Sequence, residues 1–340
     1  MFSERSRKTF NLTIVTTLLL LAHTIQLAHA AYTIEQLLNK PYFDASDIET
    51  VREGGFGVAK IHEVSDREIA VVIACLVQGN PKKALAPFLG GSLPVDEELL
   101  VEQQQIDTEQ HEKSFAAISL GGGERDEIQN YLEAKPGFGL NLSTGEISAL
   151  QALNNTVDAS QVEALVEEML LARYLAYRQD GLAGAKPYAR EKGADVSPGQ
   201  ELRKTEENMQ GLHKLYPGFH NAWLRYPKEM PDDIVGDDYF WVKLTIDERP
   251  AFILSHRLVA DSEDMQLVGI RDYYISHFLD ISQSVAVVTR LASSEHILIF
   301  LERAWVDHWS RFATLAKKIG HKVMKQKMEH LLENHGICGN

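Results

Sequence analysis

The chain has 340 residues, of which 44% are hydrophobic and 24% charged, proportions that exclude a fibre or a wholly disordered chain. Its formal net charge of −14 argues against nucleic acid and anionic lipid headgroups as partners, since both would be repelled.

In chain order, Arg5, Arg7 and Lys8 precede an apolar run at 12–22, and Ala28-His29-Ala30 places small residues where a signal peptidase reads. This architecture predicts a signal peptide over 1–30 and a periplasmic or secreted protein. Thr13, Thr16, Thr17, His23, Thr24 and Gln26 keep the segment short of the ~20 apolar residues a spanning helix needs. No later run is long and apolar enough, so no membrane span is expected after cleavage.

Residues 31–155 predict a mixed α/β region. A short helix is expected at 34–38, and a second, capped by Asp44 or Ser46, leads to Arg52. Strands at 58–64 and 68–77 follow, the second so apolar that it should be interior. A short helix is expected within 81–89, strands at 115–120 and 138–142, and helices at 124–133 and from Glu146. The polar stretch 90–113 has no readable period.

Residues 156–230 predict a helical middle. Val162, Leu165, Val166, Met169 and Leu170 share one face of a helix over 160–179, with Ser160 as its N-cap and Gly181 as its stop. The glycine- and proline-rich stretch 181–200 reads as a surface loop, and a helix over 204–215 should end before Pro217-Gly218.

Residues 231–340 predict an antiparallel meander and a long helix. Strands at 240–246 and 251–259 form a hairpin, followed by strands at 266–279, 282–291 and 296–303. A helix over 310–332 should lay Phe312, Leu315, Ile319, Val323 and Met328 on the sheet. The fold expected is therefore α+β, with the C-terminal sheet covered by the last helix. Cys75 and Cys338 could pair if the tail folded back. The preferred reading is two free thiols, one buried and one at a mobile end.

Motifs that would define a reaction are missing. Gly121-Gly122-Gly123 follows a strand, but Glu124, Asp126 and Glu127 put negative charge where a phosphate would sit. His62-Glu63 and His111-Glu112 lack a second His at helical spacing, and no Gly-x-Ser-x-Gly elbow occurs. No cofactor is expected. His256, His277 and Asp307 are the candidate metal ligands for a metal-assisted hydrolase.

The stretch 271–280 stands apart because aromatic, cationic and carboxylate groups alternate along one strand, as on a pocket wall. Arg271, Tyr273 and His277, joined by Arg303, are the candidate ligand-binding residues.

The run Tyr-Tyr-x-Ser-His-Phe-x-Asp at 273–280 and Phe-Leu-Glu-Arg-Ala-Trp-Val-Asp at 300–307 resembles the C-terminal part of a family of exported bacterial proteins without an assigned activity. Tyr-Arg-x-x-Gly-Leu-Ala at 177–183, Tyr188 and the Trp241 to Ser255-His256 stretch add to the resemblance. Members usually carry Asn-Arg where this chain has Glu302-Arg303. The meander closed by a helix is also similar to the START-like, helix-grip arrangement, which implies a ligand cavity between sheet and helix. The leading expectation is a non-enzymatic binder of a hydrophobic small molecule or lipid in that space. The alternatives are the hydrolase and an envelope interaction module without a ligand.

Overall fold

The computed structural model describes residues 32–38, 42–116, 118–121, 127–137, 139–153, 158–191, 195–306 and 313–338. The expected leader 1–30, Gly122 and Gly123, Phe138, Asp307 and Phe312 lie outside the described residues, as do the side chains of 313–316.

One antiparallel sheet of eight strands organises the molecule, with spatial order β1-β2-β8-β7-β6-β5-β4-β3. Its centre is the expected meander: β4 (Ile234–Ile246), β5 (Arg249–Asp261), β6 (Met265–Ile275), β7 (Ile281–Arg290) and β8 (His296–Trp305). Asp247 and Glu248, at φ 49° and 63°, close the β4–β5 hairpin. Two positive-φ residues in a row give a turn whose twist matches the strands it joins.

The N-terminal region completes this same sheet on both flanks. β1 (Gly57–Lys60) and β2 (Glu68–Leu76) attach at β8, and β3 (Leu100–Gln105) attaches at β4. The regions 31–155 and 231–340 thus share one sheet. β3 gave no sequence signal because its Val-Glu-Gln-Gln-Gln pattern is that of an edge strand in contact with water. Residues 118–120, expected as a strand, are irregular, and the chain before them forms a short helix, His111–Phe115. Residues 139–142 likewise form no strand.

Both faces of the sheet are covered, so its strands are apolar on alternate and on consecutive positions. Tyr239 and Trp241 of β4 enter the core shared with the helical middle, while Phe240 and Val242 enter the core shared with the C-terminal helix. On the first face lie α1 (Ala45–Arg52), packed on β1–β2, and then α2 (Thr144–Ala152), α3 (Ala159–Asp180), α4 (Pro198–Asn208) and α5 (Pro217–Arg225). Asp158, not Ser160, caps α3, accepting from the Gln161 N–H. Pro217 does not merely stop a helix: it opens α5, where its missing N–H costs nothing.

Residues 181–191 and 195–200 are packed rather than a surface loop. Leu182, Tyr188 and Ala189 are buried, and α4 begins at Pro198. Gly181, Gly184 and Gly199 allow close backbone approach: a Cβ at Gly199 would overlap the Leu182 carbonyl. Gly199→Ala should therefore destabilise the protein by about 3 kcal/mol, measured as a lowered urea midpoint.

The second face is covered by α6 (Ala313–Asn334) and the segment 81–99. The buried face of α6 is Met324, Met328 and Leu332, not the expected stripe: Ile319 and Val323 are exposed. Met328 belongs to either stripe, and the choice between them is made by which rows of the sheet the helix meets. Gly336, at φ 59°, ends the helix, with its N–H bonded to the Glu333 carbonyl and that of Ile337 to the Leu332 carbonyl. This double bond pattern reverses the chain and buries Ile337 beside Leu332. The tail consequently folds back on β2, and Cys338 forms a disulfide with Cys75 at a Cα separation of 6.0 Å. The expectation of two free thiols is thereby corrected.

Candidate functional site

A cleft of about 620 Å³ opens between the sheet and α6. Its apolar lining includes Val242, Leu244, Ile253, Ile270, Phe300 and Met328, and the segment 93–99 lies along one side. Polar residues line the same space from neighbouring strands: Asp272 of β6, Ser282 and Ser284 of β7, and Glu302 of β8. Strand pairing explains the grouping, because Asp272 stands opposite Ser282, and Ser284 opposite Glu302. Residues opposite one another on adjacent strands share a face.

Asp272 is held at one oxygen by the Ser255 hydroxyl at 2.6 Å, and at the other by the Ser282 hydroxyl. Burial raises its carboxyl above the usual range, and the two serine bonds oppose that. Glu302 is raised to about 7 by burial, with Lys327 of α6 pulling it back and Asp272 pushing it further up. Unfolded, the same carboxyl would titrate near 4.5. The folded state then binds the proton more tightly than the unfolded state. Any contribution of this group to stability is fully present below pH 4.5 and lost as the pH rises through about 7. Glu302→Gln should accordingly gain about 1–3 kcal/mol over the wild type at high pH and much less in acid, as read by denaturation at both pH values.

The residues singled out in the sequence are distributed differently. Arg271, Tyr273 and Arg303 point to the opposite face of the sheet, away from α6. Arg271 is wholly buried, donating to the Tyr177 hydroxyl at 3.2 Å, the Trp223 carbonyl at 3.1 Å and the Glu206 carboxylate at 3.3 Å. Its guanidinium lies 4.0 Å over the Trp223 ring. Tyr273 stacks on Tyr177 with ring centres 3.9 Å apart. His256 meets the same tyrosine, its Nδ1 sharing a 2.9 Å hydrogen bond with the Tyr177 hydroxyl and its Nε2 one of 2.9 Å with Asp237. Burial lowers the His256 pKa, against the pull of Asp237. With Arg271 donating to Tyr177, the consistent arrangement is Tyr177 donating to Nδ1 and a neutral Nε2–H donating to Asp237.

Arg271, Tyr273 and His256 therefore do come together, but around Tyr177 in a filled layer beneath α3 and α5. Arg303 is apart from them, paired with buried Glu68. His277 follows β6 and bonds the Pro250 carbonyl at 3.2 Å. His256 and His277 thus serve separate partners, and among the described residues no group of three His, Cys, Asp or Glu side chains is placed to hold a metal ion.

A bulge in β6 explains part of this placement. Leu254 pairs with Tyr274 and Ser255 with Asp272, leaving Tyr273 as the extra residue. Tyr273 and Tyr274 both enter the core under the helical middle, whereas simple alternation would send one of them toward α6. The cleft residues missed in the sequence are Asp272, Ser255, Ser282, Ser284 and Glu302. Their signal was the spacing of Ser282 and Ser284, two polar positions on one face of an otherwise apolar strand.

Among the described residues, no helix is long and apolar enough to cross a membrane. Compared with protein-family models, curated proteins and solved structures, the chain matches none of them.

Proposed function

We propose that this is an exported protein that binds an amphipathic small molecule in the cleft between the sheet and α6. The carrying observation is the cleft itself: about 620 Å³, lined by apolar side chains of the sheet and α6 beside a group of polar and charged ones. Ligand sites have this size and combine apolar surface with placed polar groups. The cleft also favours a binder over a pure interaction module, which would need no space between sheet and helix. Periplasmic or secreted localisation is supported by the leader pattern at 1–30 and by the Cys75–Cys338 disulfide, a bond that persists in oxidising compartments.

Titration with the neutral dye Nile red tests this reading. Saturable fluorescence enhancement is expected with the wild type, and at least about ten-fold weaker binding with Ser284→Trp, whose indole would fill the cleft, provided that variant melts like the wild type. Enhancement that does not saturate, or that is unchanged in Ser284→Trp, would contradict it.

A further inference from the structure

The lining of the cleft is unbalanced in charge. Asp96, Glu97, Glu98, Asp272 and Glu302 contribute carboxylates, while Lys327 is the one ammonium or guanidinium group among its described lining residues. Lys327 is also engaged, 3.7 Å from the Asp96 carboxylate. Among the described residues, no hydrogen bond or ion pair holds the carboxylate of half-buried Glu302. An acidic headgroup, such as that of a fatty acid, would bring a further negative charge against Glu302 and Asp272, and their repulsion opposes it. Phe278 and Phe300 line the same cleft. Aromatic faces beside carboxylates are the usual surroundings of alkylated ammonium groups, which the ring quadrupole attracts.

We infer that the ligand carries a cationic ammonium head, seated against Glu302 and Asp272, on an apolar body that runs along the sheet beneath α6. This rests on the reading of the cleft as a ligand site. The head completes an ion pair that the protein leaves open, and its apolar body covers Ile253, Ile270 and Met328. A neutral hydroxyl head could accept or donate in the same place, but it would leave the carboxylate charge uncompensated.

The proton equilibrium supports the same assignment. Glu302 titrates near 7, and a cation binds its ionised form, so affinity for a permanently charged ligand should rise as the pH passes upward through neutrality. The titratable and charged groups facing it are Asp272 from β6, Lys327 and His330 from α6, His335 just after it, and Asp96, Glu97 and Glu98 from the adjoining segment. A positive charge on either histidine would act in the same direction, weakening a cation. Glu302→Gln separates the two sources, since a slope due to the histidines survives that change.

The test uses three ligands with one apolar body: dodecyltrimethylammonium, dodecanoate and dodecyl maltoside, each below its micelle concentration. Their affinities are measured by displacement of Nile red from the whole protein. The ammonium should bind at least about ten-fold more tightly than the carboxylate. Glu302→Gln should bring those two within about three-fold of each other. Equal or tighter binding of dodecanoate would overturn the head assignment and leave the cleft reading intact, as would an ammonium preference that survives in Glu302→Gln. Failure of all three to displace the dye, or displacement that is equal in Ser284→Trp, would remove the cleft reading and the head assignment with it.

Discussion

Arg271→Met should cost the fold about 3–5 kcal/mol, the largest loss expected from any single side chain described above. The guanidinium stands between Glu206, Tyr177 and Trp223, all fully buried, and its own exposure is 0%. Methionine fills much of the volume but leaves the Glu206 carboxylate without its charged partner. Burial already raises the Glu206 pKa, and Arg271 is the strongest influence pulling it down. Without Arg271 that carboxyl would take up a proton, so the loss should be smaller in acid than in base. Adding Glu206→Gln to the methionine variant should recover part of the loss, because the uncompensated charge then disappears. Denaturation of the wild type, both single variants and the double variant measures the coupling. A loss below about 1 kcal/mol for Arg271→Met would show that this layer is not what joins the helical middle to the sheet. Arg271 lies on the face away from the cleft, so the folded fraction should retain its affinity for Nile red.

Opening the disulfide should have the second largest effect. The bond joins residues 263 positions apart, and its loss is expected to lower stability by about 2–5 kcal/mol, whether by reduction or by Cys338→Ser. The consequence reaches the site because the tail is the anchor of α6. Ile337 accepts from the Gln78 N–H at 2.9 Å, and Leu331, Asn334 and His335 line the cleft just before the turn at Gly336. Cys338→Ser should thus weaken ligand binding in a protein that is still folded, which a defect confined to the unfolded state would not do. Measuring urea midpoints and Nile red affinity on the same preparation separates the two effects.

Local chemistry made much of the C-terminal half legible in the sequence. The 240–259 hairpin, the strands after it and the last helix follow from period, turn residues and length, and α3 follows from the spacing of Val162, Val166, Met169 and Leu170. What escaped depends on contacts between distant segments. Nothing in the Glu68–Leu76 segment says that it pairs with His296–Trp305, or in Leu100–Gln105 that it pairs with Ile234–Ile246, since pairing partners are chosen by tertiary packing. The exposed Ile319 and Val323 show the same limit, because α6 carries two candidate stripes and only the sheet selects one.

The candidate site was half legible for a related reason. The strand at 271–280 was recognisable by its mixture of polar and aromatic groups, and β6 does floor the cleft. Its facing was not readable, because both faces of this sheet are covered by apolar helices and hydrophobicity cannot tell one from the other. Arg271 and Tyr273 went to the helical middle, and Asp272 to the cleft. Likewise Arg303 turned inward to Glu68 while its neighbour Glu302 took the cleft position.

Native mass spectrometry of the protein purified from the cells that make it, compared with its denatured mass, tests the central claim most directly. A ligand-binding cleft predicts an excess of a few hundred daltons that disappears on denaturation and is absent from Ser284→Trp prepared in the same way. Identical native and denatured masses for the wild type, or the same excess carried by Ser284→Trp, would contradict the assignment of this cleft as the binding site.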